Sequence, residues 1–134
     1  MTTPIPAQQD TQAAHAIATS WRGLLTTVVE RFVAGDFQLS TPVPGALPVA
    51  AEVAAHNQRY VASYLQQLDT PDARLVPLSE QVWQRSCAQW MGTHWQVLLD
   101  LCTASEGISD QVFSGNMTVQ NDTPEFQVGL IYVP

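Results

Sequence analysis

The chain has 134 residues, 46% apolar and 13% charged, with five arginines, no lysine and twelve carboxylates for a net charge of −7. That is one globular domain's worth of chain, long enough to bury about two thirds of its unfolded surface without a metal or disulfide. Five cations cannot neutralise a run of phosphates, which speaks against a nucleic-acid partner, and no apolar stretch approaches the ~18 residues of a membrane span.

Residues 1–9 hold two prolines and little to bury, so a frayed tail is expected there, ahead of one domain over 10–134. They have neither a basic start nor an apolar run, which predicts no signal peptide and a cytoplasmic protein. Asp10 or Thr11 can cap a helix running from Gln12 to Ala34, because Ala14, Ile17, Trp21, Leu24, Leu25, Val28 and Phe32 recur at steps of three and four. Gly35 stands where a left-handed C-cap belongs. Gly23, inside this helix, predicts a close packing contact or a bend. Pro42, Pro44 and Gly45 make 37–47 an extended connection. A second helix is expected over Val49–Leu68, with Val53, Tyr60, Val61, Tyr64, Leu65 and Leu68 inward. Arg74–Leu78 reads as a short edge strand and Ser79–Trp83 as one helical turn.

The remainder alternates with period two. Strands are expected over Arg85–Met91, His94–Thr103, Gln111–Gln120 and Phe126–Val133, with turns at Gly92-Thr93, Ala104–Asp110 and Asn121–Glu125. A two-residue loop at Gly92-Thr93 sets Trp90 opposite Trp95, Ala88 opposite Val97 and Arg85 opposite Asp100. The apolar residues must share one face, since a slip of one residue would turn them outward. That predicts Leu101 beside Phe113, Val97 beside Met117, Met117 beside Val128, and Phe113 beside Tyr132. Trp90, Trp95, Val97, Leu99, Leu101, Phe126, Val128, Leu130 and Tyr132 would then meet the helices. The other face would carry Cys87, Gln89, Gln96, Leu98, Asp100, Ser114, Asn116, Thr118, Gln127 and Ile131.

That second face suggests a working surface. It is rich in amides and hydroxyls and poor in charge, whereas a merely solvated sheet face usually carries more Lys and Glu. All five arginines lie in the first 85 residues; from Ser86 onward there are five carboxylates (Asp100, Glu106, Asp110, Asp122, Glu125) and no cation. Such a field attracts a basic protein. The residues expected to meet a partner are Gln89, Gln96, Asp100, Thr118 and Gln127, with Glu106 and Asp110 steering it.

Catalytic constellations are sparse. His15, His56 and His94 lie one per element, and neither HExxH, CxxC, a phosphate loop nor a hydrolase elbow occurs, so no metal site and no cofactor is expected. Cys87 and Cys102 would be about 13 Å apart along the sheet, too far for a disulfide. Glu52, His56 and Tyr60 recur at i, i+4 and i+8, a polar stripe or the start of an acid–base site. Trp90 and Trp95, with His56 and Tyr60, would line a pocket if one lay between helices and sheet.

The string Cys87-Ala-Gln-Trp-Met-Gly-Thr-His-Trp-Gln-Val-Leu-Leu-Asp-Leu, the closing Ile131-Tyr-Val-Pro and Val29–Phe37 together resemble an uncharacterised bacterial domain family. More loosely, helices ending in Ala-Gly-Asp-Phe ahead of a curved meander resemble the nuclear-transport-factor-2-like superfamily. The expected fold is therefore α+β: two N-terminal helices on one face of a four- to five-stranded antiparallel meander, with an NTF2-like or cystatin-like cone as its curved variant. The leading functional expectation is a non-enzymatic protein-binding module, such as an immunity-type protein that neutralises a basic toxin or effector. The alternative is a small-molecule-binding or enzymatic NTF2-like domain. A monomer and a homodimer that pairs two open faces both fit this reading.

Overall fold

The structure, a computed structural model, describes residues 14–134, so the expectations for the tail and for a cap at Asp10 or Thr11 lie outside the described residues. The described residues are α+β, with three helices and a six-stranded antiparallel sheet where two helices and four or five strands were expected. The elements in order are β1 (Ala14–His15), α1 (Thr19–Val33), α2 (Ala51–Gln67), β2 (Leu75–Val76), α3 (Val82–Arg85), β3 (Cys87–Trp90), β4 (Trp95–Thr103), β5 (Gly107–Gln120) and β6 (Thr123–Tyr132). The sheet order is β1-β3-β4-β5-β6, and β2 pairs with β4 beyond the end of β3.

Helix α1 buries Trp21, Leu25, Val28, Val29 and Phe32, the stripe expected from the spacing. It starts later than Gln12, because Ala14 and His15 pair with Gln89 and Ala88 and so cover the edge of β3. At its other end Gly35 takes φ +88°, its N–H donates to the Phe32 carbonyl, and the Asp36 N–H donates to Arg31. This Schellman arrangement satisfies carbonyls that the helix itself leaves open. Gly23 is a correction: a Cβ there would meet nothing within 4 Å, so no close contact explains it.

The Asp36 carboxylate then accepts the Thr41 and Ser40 N–H groups at 3.0 and 2.9 Å. These bonds hold its pKa below the usual carboxylate value. Because the folded value is depressed, the stabilisation is present above the unfolded pKa of about 3.9 and is lost as pH falls through the folded value. Asp36→Asn is therefore expected to cost stability at pH 7 and to cost much less near pH 3. Urea midpoints at the two pH values measure this, and an equal cost at both would overturn it.

The β3–β4 hairpin has the expected register, with Trp90 opposite Trp95, Ala88 opposite Val97 and Cys87 opposite Leu98. The next pairing is displaced by two residues. Leu99, not Leu101, faces Phe113, and Trp95, not Val97, faces Met117. A shift of two keeps every side chain on its own face, so Trp95, Val97, Leu99 and Leu101 remain buried. The cause is a tighter β4–β5 turn than the one expected over Ala104–Asp110. Strand β5 starts at Gly107, and its excess length is taken up where Ser109–Gln111 lie opposite Leu101. The Ser109 hydroxyl donates to the Leu101 carbonyl at 2.8 Å in that irregularity. Strands β5 and β6 join through Asn121 and Asp122, both at positive φ, as a tight hairpin turn with right-handed strand twist requires.

One correction changes a face. Between Phe113 and Gly115 the β5–β6 register shifts, and the Ser114 hydroxyl bonds both the carbonyl and the N–H of Leu130. The extra residue reverses the alternation beyond it. Ile131, expected outside, is fully buried, whereas Leu130, expected inside, is exposed, and Tyr132 is half-buried.

The core lies between the helices and the inner face. Trp21 meets Trp95 edge-on at 5.5 Å, and Phe32 meets Phe113, which meets Phe126, in the same manner at 5.0 and 5.7 Å. Helix α2 contacts β6. Of the residues expected inward it buries Val61 and leaves Val53, Tyr60, Tyr64, Leu65 and Leu68 partly covered; it also buries Ala54 and Asn57, neither of which was expected inward.

Candidate functional site

The open face is best described by the register that forms it. Gln89 on β3 faces Gln96 on β4, Gln96 faces Asn116 on β5, and Asn116 faces Gln127 on β6. Four primary amides thus cross four consecutive strands in one row. Val97 beside Met117 and Met117 beside Val128 would have set Thr118 between Gln96 and Gln127; Asn116 stands there instead, and Thr118 faces Glu125. The next row runs from Cys87 through Leu98 to Ser114, and beyond it Asp100, Val112 and Tyr132 stand abreast. A primary amide carries both donors and an acceptor, so Gln96, Asn116 and Gln127 can meet either kind of polar group.

Charge flanks this row on either side along the strands. Asp100 pairs with Arg85 at 3.3 Å, with the arginine exposed and the carboxylate largely covered. Burial pushes the Asp100 carboxyl above its usual range, Arg85 pulls it back and the nearby Asp110 adds to the rise. At such an exposed cation the pair is worth at most about 1 kcal/mol. Glu125 stands exposed on the other side of the row, opposite Thr118. Glu106 has local work: its carboxylate accepts the Tyr64 hydroxyl at 2.9 Å and the Thr103 hydroxyl at 3.0 Å. The Tyr64 oxygen in turn accepts the Asp110 N–H at 3.3 Å. Glu106 therefore ties the β4–β5 turn to α2, while the Asp110 side chain stays exposed.

The sheet edges are occupied as well. Gly45 and Leu47, from the proline-rich connection, bond the N–H and the carbonyl of Phe126 at 2.8 and 2.9 Å. Asn57 donates to the Gly129 carbonyl and accepts the Ile131 N–H, both at 2.9 Å, and the Tyr60 hydroxyl accepts the Val133 N–H at 2.8 Å. The connection and α2 thus fill polar groups along β6 that a further strand would need, as β1 does at β3. Asn57 escaped sequence reasoning because an asparagine among Val53, Val61 and Leu65 looks like a surface position; its only signal is that it falls on the inward stripe.

The structure does not bring together the four residues proposed to line a pocket. Trp95 is buried against Trp21, and Trp90 leans on it at 4.4 Å. His56 stacks on Tyr60 at 6.1 Å on α2, whose Tyr60 hydroxyl is already engaged by Val133. An apolar cavity of about 540 Å³ lies elsewhere, among Phe32, Val61, Leu65 and Leu75 with Arg74 at its side. Both cysteines are free thiols; burial and then Asp100 push the Cys87 thiol up, away from a reactive thiolate. Among the described residues no group of three His, Cys, Asp or Glu could hold a metal ion, and no helix is long and apolar enough to cross a membrane.

Fold and surface together define an α+β domain with a filled inner face, covered edges and an open, amide-rich outer face. The chain belongs to a family described as a domain of unknown function (DUF7668), which matches residues 29–134, from mid-α1 to the end. No curated protein and no solved structure matches it.

Proposed function

We propose that this chain is a non-enzymatic protein-binding module that docks a basic partner on the open face of its sheet. The observation that carries the reading is the row Gln89–Gln96–Asn116–Gln127 within a segment that holds five carboxylates and no cation. Adaptable amides supply short-range contacts, and the carboxylates supply the field that draws a basic surface and raises its rate of encounter. A bacterial immunity-type protein, bound to a basic toxin or effector, is the concrete form of this role.

The test compares the immobilised chain with an Asn116→Arg/Gln127→Arg variant in host lysate, both positions being exposed. The wild type is expected to retain a protein of pI above about 9 that elutes at roughly 0.5 M salt, and the folded variant is expected to lose it. Capture of nothing, capture of an acidic protein, or equal capture by both chains would each overturn the proposal.

A small-molecule reading of the NTF2-like kind has one observation in its favour, the groove beside Phe32 and Leu65. A ligand held there would stabilise the Asn116→Arg/Gln127→Arg variant as much as the wild type, which separates the two readings.

A further inference from the structure

A second cavity, of about 550 Å³, opens at the corner where β1, α1, α3 and β3 meet, and it has a different character. It is lined by His15, Arg22, Glu80, Trp83, Gln84 and Cys87 among others. The Arg22 guanidinium lies 5.3 Å from the centre of the Trp83 ring, which is itself almost wholly buried. Stacking of this kind holds the guanidinium plane in place and leaves its N–H edges as the polar contacts.

Those contacts are not used by the protein. Arg22 Nε and His15 Nε2 are both buried and have no hydrogen-bond partner among the described residues. In a chain with twelve carboxylates this is unexpected, since a buried N–H without a partner costs about 1–3 kcal/mol. The ion pairs of the described residues are Arg74–Asp72 and Arg85–Asp100, so Arg22 forms no ion pair among them. Glu80 lines the same cavity without pairing to it. The start of α1 also has neither a side-chain cap nor an acidic residue in its first turn, so nothing there offsets the positive end of the helix.

We propose that this corner is a binding site for a small monocarboxylate, with Arg22 as its counter-ion and His15 Nε2 as a second polar contact. A carboxylate matches the guanidinium edge in plane and spacing. A phosphate would bring more than one negative charge to a single arginine, beside Glu80 and within a chain of net charge −7. The volume lies in the range that small ligands fill. Cys87 serves as lining: its raised pKa keeps it a thiol rather than a nucleophile. The site adjoins the open face at Cys87 but uses none of the amides proposed to dock a partner, so either proposal can fail without the other.

The probe is N-acetylglycinate, titrated into the ¹⁵N-labelled full chain at constant ionic strength, with inorganic phosphate and chloride as parallel arms. Saturable shifts are expected at the Arg22 Nε–H and at the Trp83 amide, with the dissociation constant weakened at least about tenfold in Arg22→Gln and unchanged in Arg59→Gln. Arg22→Lys keeps the charge but not the fork; should Arg22→Gln fail to fold, weakening in Arg22→Lys carries the test. Absence of saturation, equal affinity in the Arg22 variants, or phosphate bound as tightly as the carboxylate would overturn the proposal.

Discussion

Asn57→Ala is expected to lower folding stability by about 3–4 kcal/mol, read as the midpoint of urea unfolding. The side chain is fully buried, and its two polar atoms meet the Gly129 carbonyl and the Ile131 N–H. Truncation leaves both backbone groups without partners beneath α2, and each such group costs about 1–3 kcal/mol. The lost contacts between helix and strand add a smaller packing term. Asn57→Asp separates the causes. It keeps the acceptor for Ile131 but sets a carboxylate oxygen against the Gly129 carbonyl, which raises the folded pKa of the new carboxyl. The folded state then holds the proton more tightly than the unfolded state, so stability falls as pH rises from the unfolded value to the folded one. Asn57→Asp should accordingly be closer to wild type at pH 4 than at pH 7. A loss below about 1 kcal/mol in Asn57→Ala would show that α2 does not need this residue to hold β6.

Gly115→Ala is expected to be nearly as costly, at about 3 kcal/mol, for the opposite reason: an atom is added where there is no room. A Cβ at this position would lie 2.2 Å from Phe126 Cζ and 2.7 Å from the Gln127 carbonyl oxygen. The ring has nowhere simple to go, because Phe126 is fully buried and edge-on to Phe113, and its backbone is bonded to Gly45 and Leu47. The carbonyl belongs to the β6 backbone and cannot turn aside without breaking the ladder. A double-mutant cycle with Phe126→Leu checks the mechanism. The smaller side chain removes the ring clash but not the carbonyl clash, so the two substitutions together should cost measurably less than the sum of their separate costs. Strict additivity would mean that the ring is not what Gly115 makes room for.

Both positions show how legibility varies along the chain. Gly115 carried a readable signal, since a glycine inside an alternating strand points to a close approach by something. The sequence does not say that the visitor is Phe126. Asn57 was harder, because one polar residue on an apolar stripe is read as exposed until the backbone groups that need it are known. The amide row lies between these cases. Parity along each strand placed Gln89, Gln96, Asn116 and Gln127 on one face, but which amide stands beside which depended on the lengths of two later turns, Ala104–Glu106 and Asn121-Asp122. Of the residues named for partner contact, Gln89, Gln96 and Gln127 fall in that row, Thr118 lies one position off it beside Glu125, and Glu106 is drawn away by Tyr64.

What the sequence determined by itself is local in origin. The 3.6-residue spacing of Trp21, Leu25, Val28 and Phe32 made α1, the glycine at 35 ended it, and the two-residue alternation with Gly92-Thr93 set the first hairpin and its two faces. Each of these follows from side chains within a few residues of one another, where chain geometry leaves little choice. The tertiary structure decided what depends on distant segments meeting. Ala14 and His15 became a strand because β3 had an open edge, and Ile131 turned inward because Ser114 stitched in an extra residue at Leu130. Asn57, Gly45 and Leu47 were assigned to β6 by the hydrogen-bonding demand of its edge, and Arg22 was set over Trp83 by a corner that four elements build together. Backbone polar groups must find partners wherever folding carries them, and that requirement has no period for a sequence to display.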